Sequence, residues 1–111
     1  MAFSRVKIVT FVPRENADEV RRALGSAGAG VIGEYSFCSF SVVGKGRFLP
    51  SNEANPHIGE PGFDEVVEEE RVEVVCEKSK AKLAITAMKK AHPYEEVAFD
   101  IYPLLDEGQL A

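Results

Sequence analysis

The alternation of apolar and polar residues predicts four β-strands, and apolar residues at helical spacing predict two helices between them. The strands are predicted at residues 5–12, 34–43, 68–76 and 97–102, and the helices at residues 15–27 and 78–91. Gly28 closes the first helix, because glycine adopts the left-handed conformation without a Cβ clash. Pro103 ends the last strand, since proline lacks the N–H that a sheet ladder requires. That strand is therefore predicted to lie at a sheet edge.

The order β-α-β-β-α-β is that of a ferredoxin-like α+β sandwich. Right-handed crossovers then place the first and third strands in the middle of an antiparallel sheet, the second and fourth at its edges, and both helices on one face. Residues 1–111 form a single domain in this interpretation. A long loop is predicted at residues 44–66, which hold four glycines and three prolines, and the tail 106–111 is expected to fray.

The face of the sheet without helices is predicted to carry apolar side chains, among them Val9, Phe11, Val75 and Tyr102. Each such side chain contributes about 1.5–3 kcal/mol when it is fully buried, so a monomer would forgo several kcal/mol. A patch of this kind is usually covered in a folded protein. We therefore expect self-association, with the edge strands meeting across the contact.

Composition excludes several classes of function. Apolar residues make up 45% of the chain, and 13 basic against 18 acidic residues give a net charge of −5. This balance argues against a general binder of nucleic acid or of anionic membranes. Cys38 and Cys76 lack the spacing of a redox pair and are expected to be reduced core thiols. Without a signal segment or a transmembrane run, the chain is expected to be soluble and cytoplasmic.

The most polar cluster follows the second helix, where His92 precedes Glu95 and Glu96. Imidazole and carboxylates suit a metal site or a general base. The simpler interpretation is that His92 closes the helix near its C-terminal dipole and that the acids are solvated, and it is favoured because the spacing is not specific for a metal. His57 is the other histidine, and it would meet His92 only if the long loop folds back or crosses to another subunit.

A second candidate is the glycine-rich stretch at residues 44–47. Its backbone N–H groups, with Lys45 and Arg47, suit a phosphate or another small anion. A phosphate loop requires a helix directly after its glycines, and here Phe48, Leu49 and Pro50 follow. A glycine-rich strand exit with solvated cations is the favoured interpretation.

Several stretches together resemble one known family. Residues 27–30, 32–40, 44–50, 55–59 and 92–104 resemble the inserted domain of YqfO-type proteins, the hexameric dinuclear-metal-centre proteins often labelled GTP cyclohydrolase homologues. The resemblance implies the PII and CutA variant of the ferredoxin-like fold, which favours trimers, although a dimer is also considered. The metal pair of that family belongs to lobes that flank the insert, so the resemblance implies no dinuclear centre within these residues.

The expected function is that of a non-enzymatic, homo-oligomeric PII-like or CutA-like module that binds a small anion, a metal or a protein partner in clefts between subunits. The predicted ligand contacts are Lys45, Arg47, His92, Tyr94, Glu95 and Glu96. The cofactor is unknown, a divalent metal being the one considered, with His57 and His92 as its ligands. One alternative is a metal-assisted hydrolase of a nucleotide-like substrate, which would use His57, His92, Glu95 and Glu96. Another is a structural partner of a separately encoded protein.

Overall fold

A four-stranded antiparallel sheet organises the computed structural model, which describes residues 2–111. The elements are β1 (Arg5–Pro13), a 3₁₀ turn (Arg14–Asn16), α1 (Ala17–Ser26), β2 (Phe40–Phe48), β3 (Glu65–Glu77), α2 (Lys78–Ala91), β4 (Phe99–Leu104) and a second 3₁₀ turn (Glu107–Gln109). The strand order β2-β3-β1-β4 puts β1 and β3 in the middle. The predicted ferredoxin-like α+β fold is confirmed.

The core lies between the sheet and the two helices. Alternate residues of β1 and β3, such as Ile8 and its partner Val74, turn towards Leu24 of α1 and Met88 of α2. The fully buried side chains there include Ile8, Leu24 and Met88. One face of the sheet is thus covered by helices within a single chain. No helix among residues 2–111 is both long enough and apolar enough to cross a membrane.

The second strand was predicted too early in the chain. Instead of residues 34–43 it spans Phe40–Phe48, so the glycine-rich stretch 44–47 lies within β2 and is not a strand exit. The predicted loop 44–66 is correspondingly reduced to residues 49–64, because β3 already begins at Glu65. The error arose because the apolar residues before Phe40 imitate a strand.

Those residues instead form a tight turn. The N–H groups of Ile32 and Tyr35 each donate to the other residue's carbonyl, at 2.9 and 3.0 Å. Gly33 and Phe37 have positive φ angles of 58° and 56°, a conformation that an extended strand does not allow. The Phe37 ring lies against Gly25 of α1, where a Cβ atom would come within 2.1 Å of it. This packing holds an otherwise unfavourable backbone conformation.

The C-terminal tail 106–111, which was expected to fray, contacts the N-terminal residues through Asp106 and Gln109. Asp106 caps the last 3₁₀ turn and accepts hydrogen bonds from Ser4 at 2.5 Å and Arg5 at 2.8 Å. Gln109 Nε2 donates to the Ala2 carbonyl at 3.0 Å. These contacts join the two ends of the described chain, while Leu110 remains exposed.

The face of the sheet away from the helices, called here the open face, is more polar than predicted. Lys7 and Arg71 both pair with Glu73, each at 3.1 Å, and these long side chains cross the middle of the sheet. Val9 is fully buried on this face. Apolar side chains remain exposed at the edges, with Phe40 at 66% exposure on β2 and Tyr102 at 40% on β4.

Candidate ligand-binding site

A cavity of about 850 Å³ lies between β2, the loop 49–64 and the segment that joins α2 to β4. Its lining comprises Phe11, Val42, Val43, Gly44, Lys45, Gly46, Arg47, Phe48, Leu49, Pro50, Ser51, Ala54, Pro56, His57, Ile58, Glu69, Arg71, Tyr94, Glu95, Glu96 and Ala98. The two candidate stretches of the sequence, residues 44–47 and 92–96, therefore meet at one place. They meet within a single chain, whereas the sequence analysis placed the cleft between subunits.

Glu69 is the buried polar group of this cavity, with only 8% of the residue exposed. Its Oε2 accepts a hydrogen bond of 2.6 Å from the Tyr94 hydroxyl. Burial, together with the nearby carboxylate, raises the pKa of the Tyr94 hydroxyl far above its usual value. Tyr94 therefore stays protonated at neutral pH and keeps its role as donor.

Gly46 makes room for that carboxylate. A Cβ atom at position 46 would lie 1.9 Å from Glu69 Oε1, whereas a Cβ atom at Gly44 would meet nothing within 4 Å. A glycine inside a strand often marks such a close approach. Gly46 is thus explained by a side chain of the same molecule and does not require a phosphate, whereas no neighbouring atom requires glycine at position 44.

Aromatic rings form one wall of the cavity. The Tyr94 ring lies 6.2 Å from that of Phe48 and 6.4 Å from that of His57, between ring centres. The His92 ring lies behind it at 5.0 Å. Tilted arrangements at these distances are favourable for aromatic pairs. Tyr94 therefore connects the loop, the β2 strand and the end of α2.

His92 holds this wall in place and is not available to a ligand. It is 6% exposed; its Nε2 donates to the Phe11 carbonyl at 2.7 Å, and its Nδ1 accepts the Tyr94 N–H at 3.2 Å. These partners define the neutral tautomer with the proton on Nε2, and burial lowers the pKa of the imidazole.

The predicted metal pair of His57 and His92 is not supported by this geometry, because both nitrogens of His92 are already engaged. Residues 2–111 contain no group of three or more His, Cys, Asp or Glu side chains placed to hold a metal ion. His57 itself lines the cavity. The geometry thus assigns His92 a positioning role and His57 a place in the aromatic wall.

Glu95 connects the cavity to the loop. Its Oε2 accepts the backbone N–H of Asn55 at 3.0 Å, and the loop is closed on itself by the Gly62 N–H, which donates to the Pro50 carbonyl at 2.7 Å. Glu96 lines the same side and is exposed. Glu95 therefore fastens the long loop beside the cavity, and Glu96 lines the cavity without a contact to the loop.

Lys45 and Arg47 line the cavity, although they lie on the parity of β2 that faces the helix side of the sheet. Both residues alternate along β2 with Gly44 and Gly46, and Lys45 pairs in register with Glu68 on the helix-covered face. The cation on the open face is Arg71, whose guanidinium lies 5.8 Å from the Phe11 ring centre. Sequence reasoning missed Arg71 and Glu69; the paired glycines of β2 were the available signal for Glu69.

The sheet order and the placement of both helices on one face are those of the PII-like and CutA-like fold, and comparison with solved structures agrees. A Bacillus cereus protein related to NIF3 matches with a TM-score of 0.80 and 49% identity, over 96% of this chain and 27% of that one. CutA1 from Shewanella sp. SIB1 matches at 0.71 with 16% identity, over 96% and 86% of the two chains. Bacillus subtilis GlnK in complex with ATP matches at 0.62 with 14% identity, over 94% and 84%. The last two show the fold alone.

The sequence relatives are proteins named GTP cyclohydrolase 1 type 2 homolog. The Bacillus subtilis protein is 56% identical over 98 residues, and the Halalkalibacterium halodurans protein is 48% identical over 106 residues. These matches cover 88% and 96% of this chain but only 26% and 28% of the relatives, so the chain spans about a quarter of their length. No family model matches the chain. The chain is thus homologous to one segment of these proteins, which confirms the resemblance to the YqfO-type insert.

Proposed function

We propose that this chain is a non-enzymatic binding module of the PII and CutA type, and that its cavity takes a small organic ligand. The observation that carries the proposal is the cavity itself. Its volume of about 850 Å³ lies within the roughly 300–1,000 Å³ typical of small-molecule sites. It also combines apolar walls with a buried, oriented carboxylate, Glu69, as such sites usually do.

The proposed contacts follow from the geometry. Tyr94, Glu95 and Glu96 line the cavity and are proposed to touch the ligand, while His92 positions Tyr94 from behind. Lys45 and Arg47 line the cavity from exposed positions on β2 and remain proposed ligand contacts. GlnK has been solved in complex with ATP, which supports small-molecule binding as one use of this fold. At 14% identity none of its contacts carry over.

We further propose that the chain self-associates, a trimer being favoured over a dimer. The exposed Phe40 and Val42 at the β2 edge and Tyr102 at the β4 edge support this proposal. The alternative of a metal-assisted hydrolase has no specific observation in its favour, because His92 is fully engaged in hydrogen bonds. The activity of the longer relatives is not transferred to a chain that spans a quarter of their length.

The test is a fragment titration of the ¹⁵N-labelled chain followed by NMR. A ligand of this cavity is expected to shift the amides of Gly46, Asn55 and Tyr94 in a saturable manner, because these residues surround or fasten it. The control region is the outer face of α2, where Leu83 is exposed. A library screen that yields no saturable shift at the cavity would remove the proposed function.

A further inference from the structure

Three carboxylates and three cationic residues line the cavity, and the buried group among these six is a carboxylate, Glu69. Glu69, Glu95 and Glu96 all line it. Arg71 is the cation on its open-face side, and that guanidinium is already paired with Glu73 at 3.1 Å. The alternation of β2 places Lys45 and Arg47 on the parity that faces the helix side of the sheet. A ligand that enters the cavity therefore meets the buried Glu69 carboxylate, whereas Lys45 and Arg47 line the cavity from exposed positions.

Glu69 retains hydrogen-bonding capacity after its contact with Tyr94. A carboxylate offers about four acceptor sites on its two oxygens. Tyr94 occupies one of them, on Oε2, and is the one side-chain donor to Glu69 within residues 2–111. The other oxygen, Oε1, lies over Gly46 on the floor of the cavity. A mostly buried carboxylate in this state is stabilised by a further donor, and most strongly by a charged one.

The surrounding rings favour the same kind of ligand. Tyr94, Phe48 and His57 form a wall beside the carboxylate, and the Phe11 ring lies on the open-face side. Aromatic faces attract organic cations electrostatically, and the attraction grows when water is excluded. An inorganic cation would require several converging oxygen ligands, whereas Glu69 is the one buried carboxylate in the lining that the described residues form.

From this arrangement we infer that the cavity selects a protonated amine carried on an apolar or aromatic body, with Glu69 as the residue that determines this specificity. The ammonium group donates to Glu69 Oε1, and the apolar body lies along the Tyr94 and Phe48 rings. The inference rests on the proposed function, since it names the ligand class for the same cavity. It names a small organic cation, whereas the sequence led us to expect a small anion, a metal or a protein partner.

The charge preference is tested with three probes of matched size, namely benzylamine, benzyl alcohol and benzoate. Each is titrated into the ¹⁵N-labelled wild-type chain at pH 7, where benzylamine is protonated and benzoate is ionised. We expect benzylamine to shift the Gly46 and Tyr94 amides at the lowest concentration, with benzoate the weakest of the three. A preference for benzoate, or equal binding of all three, would overturn the inference.

The residue assignment is tested with Glu69→Gln against Glu68→Gln. Glu68 is the adjacent residue, but it lies on the opposite face of β3 and pairs with Arg14 at 2.8 Å. Loss of a hydrogen bond to a charged group corresponds to roughly tenfold weaker binding. Glu69→Gln is therefore expected to weaken benzylamine binding about tenfold and benzyl alcohol binding by less, because a neutral hydroxyl forms a weaker hydrogen bond to the carboxylate than an ammonium group does, whereas Glu68→Gln changes neither.

Different results would contradict the amine preference and the existence of a binding site in the cavity. If benzyl alcohol or benzoate binds at the cavity and benzylamine does not, the cavity is a binding site but the amine inference is wrong. If none of the three probes shifts cavity amides, and a wider fragment library also fails, the proposed function itself is wrong. The wild-type comparison requires no substitution, so it decides the ligand class even if Glu69→Gln does not fold.

Discussion

At the scale of single residues, the environment of Glu69 connects the sequence to the site. A buried carboxylate is costly unless it is hydrogen-bonded, and here Tyr94 supplies the bond while Gly46 supplies the space. Three residues that are distant in the sequence thus depend on each other. Their interdependence can be measured by substituting the smallest of them.

Gly46→Ala is expected to separate Glu69 from Tyr94, because the new Cβ atom would lie 1.9 Å from the Glu69 carboxylate. Gly44→Ala is the matched control, since its Cβ atom meets nothing within 4 Å. Relative to that control, we expect Gly46→Ala to lower the free energy of unfolding by about 1–2 kcal/mol. Urea denaturation measures the difference, and equal stability of the two variants would contradict the close approach.

His92 predicts a pH dependence whose sign follows from its burial. The folded-state pKa lies below the ordinary value of 6.5, so the unfolded chain takes up a proton first as the pH falls. Stability is therefore complete above pH 6.5 and decreases as the pH falls from there towards the folded-state pKa. Glu73 and Asp106, whose pKa values are lowered by Lys7 and Ser4 respectively, act in the more acidic range below 4.5 and 3.8.

The His92→Gln variant isolates this contribution. Glutamine retains a donor for the Phe11 carbonyl but does not titrate, so we expect a flatter stability profile between pH 7 and pH 5 than in the wild type. Urea denaturation at stepped pH measures the slopes, which are compared independently of any overall loss of stability. Identical slopes would show that His92 does not contribute to the pH dependence.

At the scale of elements, the sequence correctly predicted the helices and strands whose apolar residues repeat regularly. The helix α2 lies at Lys78–Ala91, as predicted, because its apolar stripe is regular and uninterrupted. The predicted position of β2 was wrong because Tyr35 and Phe37 have strand propensity. Their conformation is instead set by the tertiary contact of Phe37 with Gly25. Local pattern does not reveal such a contact.

The candidate site shows the same division. Tyr94, Glu95 and Glu96 were found because they are close together in the sequence, and all three line the cavity. Glu69 was missed because it belongs to an acidic run, residues 68–70, whose members separate onto opposite faces only when the strand forms. Register across the sheet, which couples β2 to β3, decides which acid is buried.

The connection between the loop 49–64 and the segment after α2 can be tested with adjacent acids. Glu95→Ala removes the acceptor of the Asn55 N–H, whereas Glu96→Ala changes a neighbouring exposed acid. We expect the Asn55 amide to exchange with solvent about tenfold faster in Glu95→Ala, because a hydrogen bond to a charged acceptor is lost. Hydrogen exchange followed by NMR measures this rate, and equal rates in the two variants would contradict the contact.

At the scale of the whole molecule, the open face is divided between charge and apolar surface. The Lys7, Glu73 and Arg71 cluster keeps its middle compatible with water, while Phe40 and Tyr102 remain exposed at its edges. Self-association is therefore expected to depend on the edges of the sheet more than on its centre. This modifies the uniform apolar patch that the sequence predicted.

Phe40→Asp tests this proposal, with Leu83→Asp as a control of equal exposure. Both side chains are 66% exposed, but Phe40 belongs to the β2 edge and Leu83 to α2. We expect light scattering to show an oligomer for the wild type and Leu83→Asp, and a shift towards monomer for Phe40→Asp. A wild-type chain that is strictly monomeric at micromolar concentration would remove the proposal.

The contact between the N-terminal residues and the C-terminal turn has a topological consequence. Arg5 pairs with Asp106 at 2.8 Å, and Gln109 donates to the Ala2 carbonyl, so the N-terminal and C-terminal residues lie next to each other. A domain whose two termini are adjacent can be inserted into a surface loop of another protein without disrupting that protein's fold. For the same reason, a short linker between the two termini would permit circular permutation, with new termini in a surface loop.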